Sequence, residues 1–318
     1  MSATSADVAR LAGVSRATVS QVLNGHSDRF AAGTSEKVKA AARELEYQPS
    51  AAGRALRRGS SDVVIALLPH TTFGGNLQDL FERMSRDLAE HGFTLVLRIS
   101  TPSAKELDRV VTGMKPAAVF SLTTFTPAER EVLERRQVLA IDPPSVTQID
   151  HNRAIGEMQA RTLIDRGHTR LAYAHLQDAR QDPFGVARED GFRAAALAHG
   201  LDDIIVVRVD VDPVSAAAAL DRTAPPKVAI ACYNDDVATA LLSAALARGF
   251  EVPRDVALIG MDRTPLSRVT LPPLTTIEYD LDAAARYGTV GLLRSLGAGV
   301  PTETPSPAEL SLIEGATA

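Results

Sequence analysis

Residues 5–24 read SADVARLAGVSRATVSQVLN, and the spacing of apolar residues in this stretch predicts two short helices joined by a turn. Ser5 and Ser15 are suited to cap the two helices, and Gly13 interrupts the pattern between them. Such a pair is either a helix-turn-helix or an ordinary helical hairpin, and spacing alone leaves both open. The apolar positions with helical spacing are Val8, Leu11 and Ala12, then Val19, Val22 and Leu23.

The second helix is the candidate DNA reader, because the recognition helix of a helix-turn-helix presents its first residues to base edges in the major groove. Arg16 can pair with guanine, and Ala17 can contact a thymine methyl group. Gln21 can bond adenine or a phosphate. The DNA-contacting residues predicted here are Ser5, Ser15, Arg16, Ala17, Thr18, Ser20, Gln21, Asn24, Arg29 and Tyr47.

A third helix is predicted from a cap at Thr34 to an end at Tyr47 and Pro49. It completes a small helical headpiece over residues 1–49. Its apolar positions are Val38, Ala41, Ala42 and Leu45.

The segment PSAAGRALRRGS, residues 49–60, carries one leucine among arginines. A helix that packs on a core needs about three or four apolar residues per two turns, so Leu56 has too few neighbours to do so. Residues 1–60 carry a net charge of +4, and the remaining residues carry −9. A basic N-terminal segment followed by an acidic remainder indicates that the segment binds a nucleic acid and that the remainder binds something else.

From Asp62 onward, short apolar runs such as VVIALL (63–68) alternate with helical patterns, and the alternation restarts after about residue 150. Strands alternating with helices predict doubly wound parallel sheets, here two α/β subdomains. Ligands of such sheets bind at the carboxyl ends of the strands.

The composition and motifs exclude several other classes. With 45% hydrophobic residues in 318, the chain can build a sizeable core, and its single cysteine, Cys232, excludes an internal disulfide framework. The first residues lack the basic region followed by an apolar region that a signal peptide has, and there is no run of about 18 apolar residues, so we expect a cytoplasmic protein without a signal peptide or a membrane span. No phosphate-binding loop or nucleophile motif occurs, and the polar run 234–236 does not converge on one point. We therefore expect no catalytic residues, cofactor or metal.

These segments resemble the LacI/GalR (lac-repressor) family of bacterial transcription regulators. The resemblance runs through DVARLAGVSRATVSQVLNG (7–25), SEKVKAAARELEYQPS (35–50), REDGFRAAA (188–196), YNDDVATALLSAALARGFEVPRDVALIGMD (233–262) and LPPLTTIEYD (271–280). It covers nearly the whole chain and favours the helix-turn-helix over the hairpin.

The resemblance implies an N-terminal all-α helix-turn-helix headpiece followed by an α/β effector domain of two doubly wound parallel-sheet subdomains, like a periplasmic binding protein. The implied boundaries are 1–49 for the headpiece, 50–60 for a hinge helix, and 61–318 for the effector-binding and dimerisation domain. Its N-subdomain spans about 61–150 and 279–305, and its C-subdomain spans about 151–278. The hinge helices of a homodimer would enter the minor groove, with Leu56 wedged into a base step and Arg54 and Arg57 on phosphates.

The sequence departs from the family in three places. The loop at 25–34 is about one residue longer than in the lac repressor itself, and Gly53 replaces the usual alanine in the hinge. The tail, residues 301–318, has no apolar heptads, so a dimer is expected rather than a tetramer. It also lacks the arginine that often precedes the end in the family, which argues against a strand there.

The effector would lie at the strand ends of the body. Aspartate, asparagine and arginine beside an aromatic ring suit a sugar or sugar derivative. Each residue also has a structural alternative: Asn234 as a helix cap, Arg188 and Asp262 as a mutual pair, and the aromatic residues as core. The predicted effector residues are Phe73, Asp150, Arg188, Asn234, Asp262 and Tyr279.

The leading hypothesis is a regulator, of the repressor type, that binds a palindromic operator as a dimer under the control of a small-molecule effector. The alternative is a cytoplasmic sugar-binding or sugar-processing protein that reuses the same fold.

Overall fold

The computed structural model describes residues 3–23, 29–47, 61–69, 75–100, 103–143, 145–178, 182–299, 305–306 and 308–318. The chain forms two compact units. The first comprises Met1–Asp62 and Met114–Ala117, and the second comprises Val63–Gly113 and Ala118–Ala318.

The described part of the first unit contains three helices, α1 (Ser5–Ala12), α2 (Arg16–Leu23) and α3 (Ala32–Glu44). The turn between α1 and α2 begins at Gly13, whose φ of 67° is a left-handed conformation that glycine adopts without strain. The amide of Thr18 donates to Ser15 Oγ at 3.0 Å, so Ser15 caps α2 as predicted. The buried core of the three helices consists of Val8, Ala9, Val19, Val22, Val38, Ala41 and Ala42.

Three local predictions for this unit are wrong. Thr4, rather than Ser5, caps α1, because Thr4 and Asp7 form a reciprocal capping box. The third helix begins at Ala32, before Thr34, with no side-chain cap. Leu11 is 48% exposed, because Val8 and Ala9 occupy the face of α1 that meets the core.

The first sheet of the second unit has four parallel strands in the order β2-β1-β3-β4. Buried residues of β1 and β3 form its core with the surrounding helices. The elements are β1 (Val63–Leu68), α4 (Gly75–Glu90), β2 (Thr94–Ile99), α5 (Ala104–Met114), β3 (Ala118–Ser121), α6 (Pro127–Arg135) and β4 (Leu139–Ile141).

The second sheet has six strands, and helices cover its two apolar faces. The elements are α7 (Ser145–Asp165), β5 (Leu171–Leu176), α8 (Gly185–Ala198), β6 (Ile205–Val209), α9 (Pro213–Thr223), β7 (Val228–Cys232), α10 (Asp235–Ala247), β8 (Val256–Met261), a 3₁₀ helix (Pro265–Arg268), β9 (Thr275–Tyr279), α11 (Leu281–Ser295) and β10 (Leu310–Ile313). The strand order is β10-β9-β8-β7-β5-β6, and only β10 is antiparallel to its neighbour. This α/β architecture confirms the predicted fold class.

The chain leaves the second sheet after β9 and returns to it at β10. Between them, α11 packs Leu292 and Leu293 against Val64 and Ala118 of the first sheet. The helix α7 begins at Ser145, a few residues before the point near 150 at which the alternation of strands and helices was predicted to restart.

The C-terminal tail forms a strand, against the sequence-based expectation. Strand β10 pairs with β9, and its leucines pack against the core of the second sheet. Beyond it, Thr317 is buried: it donates through Oγ1 to the carbonyl of Leu258 at 2.8 Å and accepts from the amide of Thr275 at 2.9 Å. The apolar residues and these backbone bonds hold the tail in place without the family's arginine.

Helices α7 and α8 cross at two glycines. A Cβ atom on Gly156 would lie 1.8 Å from the carbonyl oxygen of Arg188, and one on Gly191 would lie 2.1 Å from that of Arg153. Each glycine therefore permits a backbone-to-backbone approach that a side chain would prevent.

We expect Gly156→Ala to destabilise the second unit by about 1–3 kcal/mol or more, because the methyl group forces the two helices apart. The measurement is the thermal unfolding midpoint of the full chain. Gly113→Ala is the matched control: it lies in α5, and no atom of the described residues comes within 4 Å of the place that its new methyl group would occupy. An equal midpoint for the two variants would contradict the close crossing.

Candidate nucleic-acid interface and effector site

Helix α2 separates its core face from its polar face. Val19 and Val22 are buried, whereas Arg16, Ala17 and Gln21 are exposed. The side chains predicted to read bases therefore lie on the surface of the first unit and away from its core.

The other predicted DNA contacts have mixed surroundings. Ser15 and Thr18 lie 2.9 Å apart through their hydroxyl oxygens, at the start of α2. Ser5 and Ser20 are half-buried and Arg29 is exposed, while Tyr47 packs against the helical core. Asn24, Arg54, Leu56 and Arg57 lie outside the described residues.

Arg188 is the centre of the candidate effector site. It lies on α8 and is only 7% exposed. Its Nε donates to Asn152 Oδ1 at 3.0 Å, and its Nη1 donates to the carbonyl of Tyr233 at 2.7 Å. Its guanidinium also lies over two aromatic rings, 4.9 Å from the centroid of Tyr233 and 5.7 Å from that of Phe184. The planar group is thereby held at the carboxyl end of β7.

Asp262 lies at the end of β8 in an unusual backbone conformation. Its φ is 101°, a region that costs a residue other than glycine about 1–3 kcal/mol. Its amide donates to the carbonyl of Ile277 at 2.8 Å. Burial raises the pKa of Asp262, and the charge of Arg188 acts against this rise. The carboxylate of Asp262, a hydrogen-bond acceptor, therefore lies within the electrostatic influence of Arg188.

The remaining predicted effector residues are placed differently. Asn234 is buried and caps α10 by accepting from the amide of Val237 at 3.1 Å. It therefore has the helix-capping role given above as the alternative to effector binding. Asp150 is exposed on α7. Tyr279 is half-buried, with its ring centroid 4.7 Å from that of His151. Phe73 lies outside the described residues.

Sequence reasoning missed His151 and Asn152, which follow Asp150 directly. Asn152 holds Arg188, and His151 lies against Tyr279. Burial and the charge of Arg188 both lower the pKa of His151. The sequence signal that could have identified Asn152 was Gly156, because Asn152 lies one helical turn before that glycine and on the same face of the helix.

Asp235 links three elements beneath this site. It is fully buried, and its Oδ1 accepts from the Thr276 hydroxyl at 2.6 Å. Its Oδ2 accepts from the amide of Thr264 at 2.7 Å. Gly260 makes room for the carboxylate, because a Cβ atom there would lie 2.1 Å from Asp235 Oδ1.

Among the described residues, no group of three or more histidine, cysteine, aspartate or glutamate side chains is arranged to hold a metal ion. Within the same part of the chain, no helix is long and apolar enough to cross a membrane.

Comparison with known proteins connects the two units to one family. Residues 4–50 match the family model of bacterial regulatory proteins of the lacI family, and residues 160–318 match that of the periplasmic binding protein-like domain. The chain is 30% identical to the transcriptional repressor PurR of Vibrio atlanticus (strain LGP32), over 87% of this chain and 86% of that protein. It is 30% identical to the ribose operon repressor of Escherichia coli (strain K12), over 88% and 89% of the two chains.

Solved structures agree with this result. A complex of the transcriptional regulator CelR with cellobiose is 27% identical, with a TM-score of 0.67, and the match covers 99% of this chain and 100% of that chain. The lac repressor dimer bound to operator and an anti-inducer shares the fold at 20% identity, with a TM-score of 0.77 and coverage of 100% and 99%.

A helix-turn-helix unit joined to a periplasmic-binding-protein-like unit defines the class of ligand-responsive DNA-binding transcription regulators. The chain belongs to the LacI family of that class. The curated relatives named above are transcriptional repressors.

We expect the buried Asp235 to make the stability of the second unit depend on pH. Burial raises its pKa from 3.8 to about 7, so the folded state binds this proton more tightly than the unfolded state. The stabilisation is complete below about pH 4 and is lost as the pH rises through about 7, with an upper bound of about 4 kcal/mol. Thermal unfolding between pH 4 and 8 should show a smaller pH dependence in Asp235→Asn than in the wild type. Asp202→Asn, at an exposed position, serves as the control. Parallel curves for the wild type and Asp235→Asn would show that the carboxylate does not titrate in this range.

Proposed function

We propose that the chain is a repressor-type regulator that binds a palindromic operator as a homodimer and responds to a small-molecule effector. The headpiece, residues 1–49, reads one half-site, and the hinge, residues 50–60, occupies the central minor groove. The observation that carries the proposal is the exposed face of α2, where Arg16, Ala17 and Gln21 stand clear of the core.

The remaining residues, 61–318, form the effector-binding and dimerisation domain in this proposal. Its N-subdomain spans about 61–150 and 279–305, and its C-subdomain about 151–278. The solved lac repressor assembly is a dimer on its operator, which supports the same assembly here. We place the regulator in the cytoplasm, associated with the nucleoid when it is bound to its operator.

The proposed effector is a sugar or sugar derivative. Arg188 supplies hydrogen-bond donors and Asp262 an acceptor, and the half-buried Tyr279 adds an aromatic ring. This combination reads adjacent hydroxyl groups. Related regulators support the assignment, since CelR has been solved with cellobiose and another relative is named for the ribose operon. Effector binding would shift the protein between conformations with different operator affinity.

The deciding experiment is selection of bound duplexes from a random pool, followed by a screen for sugars that change the binding. We expect a palindromic sequence to be enriched and its binding to weaken steeply with salt. The same sugars are assayed for turnover, which we expect to be absent. If no palindrome is enriched, or if a sugar is consumed, the proposed regulator is wrong.

We expect Arg16→Ala to weaken operator binding by about 1–3 kcal/mol and to relax selectivity at one base pair, because a bidentate base contact is lost. Competition titrations against single-base operator variants measure both effects. Arg86→Ala, which removes the same charge from the exposed surface of α4, is the control. Uniform loss across all base variants would identify Arg16 as a phosphate contact instead.

We expect Leu56→Ala to reduce the ratio of specific to non-specific DNA affinity while leaving non-specific affinity unchanged. The reason is that an apolar wedge acts only where the DNA bends at its operator. Titrations of operator and scrambled duplexes at one salt concentration give the ratio. An unchanged ratio would remove Leu56 from the proposed interface.

A further inference from the structure

A buried ionic cluster adjoins the effector arginine and makes none of the effector contacts described above. His175, in β5, is completely buried. Its Nδ1 lies 2.5 Å from Asp182 Oδ2, and its Nε2 lies 2.7 Å from Glu189 Oε2. Asp182 is buried before α8 begins, and Glu189 is half-buried on α8, next to Arg188 in sequence. These three residues, His175, Asp182 and Glu189, form the histidine cluster.

Hydrogen-bond counting assigns a charge to the imidazole. An ionised carboxylate only accepts, and a neutral imidazole has one N–H and one bare nitrogen. Both nitrogens of His175 face carboxylate oxygens. A neutral ring would therefore direct the lone pair of its unprotonated nitrogen at a lone pair of a carboxylate oxygen. A doubly protonated ring satisfies both contacts and pairs the buried charges, which is the condition under which such charges are tolerated.

The surroundings are consistent with ionised carboxylates. Burial raises the pKa of Glu189, but hydrogen bonds from His175 and Arg193 outweigh it and lower the pKa below its usual value. Nη1 of Arg208, on β6, lies 4.0 Å from Oδ2 of Asp182. The remaining Asp182 oxygen, Oδ1, has no hydrogen-bond partner among the described residues.

Among the described residues, the other elements packed against β5 supply no further charge to the ring. The ring centroid of Tyr173, on β5 itself, lies 4.7 Å from that of the imidazole, in an edge-to-face arrangement. On β7, Cys232 is a buried thiol whose pKa burial raises, so it is neutral. On α10, Asp235 bonds to Thr276 and Thr264 and not to His175.

The cluster is mechanically connected to Arg188. Asp182 and Glu189 flank the first turn of α8, which begins at Gly185 and presents Arg188 to Asn152 and Tyr233. Asp182 is packed directly on that turn, since a Cβ atom on Gly185 would lie 1.9 Å from its Oδ1. Any change that separates His175 from these carboxylates therefore acts on the turn that carries Arg188.

We propose that His175 is a positioning residue of the effector site: as an imidazolium it holds Asp182 and Glu189 together and so fixes the turn that presents Arg188. Replacing the ring with a side chain that cannot donate to both carboxylates loosens that turn and weakens effector binding. The inference rests on the effector role proposed for Arg188, but its structural core can be tested without any effector.

The test is nuclear magnetic resonance of the full chain with ¹⁵N-labelled histidine and arginine. We expect both ring nitrogens of His175 to carry a proton in the wild type. In His175→Leu, protection of the Arg188 Nε–H against exchange should fall about tenfold, the effect of losing one hydrogen bond of ordinary strength.

Glu189→Gln provides a variant that keeps the cluster satisfied. The new amide donates to His175 Nε2, so a neutral ring with Nδ1–H on Asp182 meets every contact. We expect a ring protonated on Nδ1 alone and protection of Arg188 equal to that of the wild type. His91→Gln, at an exposed position, should behave as the wild type.

Three results would each overturn the inference. They are a neutral His175 ring in the wild type, unchanged protection of Arg188 in His175→Leu, and loss of Arg188 protection in Glu189→Gln. None of these readouts uses DNA or a sugar. Failure of the proposed regulator function would therefore leave the positioning role to be decided on its own data.

Discussion

The close crossing of α7 and α8 is the constraint on which the candidate effector site depends. Gly156 and Gly191 let the two backbones meet without side chains between them. Because the helices meet there, Asn152 reaches Nε of Arg188, and Arg188 in turn reaches the carbonyl of Tyr233 at the end of β7. A wider separation of the two helices would break the hydrogen bond between Arg188 and Asn152 and leave the buried guanidinium without one of its partners, which is unfavourable.

Buried polar side chains then fasten this pair of helices to the sheet. Gln159, on α7, donates to the carbonyls of Cys232 and Gly260, which lie at the ends of neighbouring strands. Asp235 joins α10 to β9 and to the segment after β8. Because each such group is costly to bury unless it is hydrogen-bonded, a displacement at one of them is resisted by all. The edge of the sheet where a ligand would sit is consequently pre-formed.

The headpiece depends on shorter-range interactions. A capping box, a left-handed glycine and a serine cap define its first two helices, and each of these signals lies within a few residues of the bonds it makes. The sequence accordingly predicted the two helices and their exposed reading face. It misplaced one cap and one helix start by a few residues, because Thr4 and Ser5 are equally good caps in isolation and only the reciprocal bond to Asp7 selects Thr4.

The sequence by itself determined the fold class, the family and the residue types at the strand ends, because periodicity, caps and turns are local. Tertiary structure decided which residues meet. Asn152 and Arg188 are 36 positions apart, and Arg188 and Tyr233 are 45 apart. The tertiary structure therefore placed His151 and Asn152, rather than Asp150, beside Tyr279 and Arg188. It also buried His175 between two carboxylates. The tail also became a strand only because an edge of the second sheet was available to it. Such contacts depend on how closely the packed helices and strands approach one another, and no local sequence pattern encodes that separation.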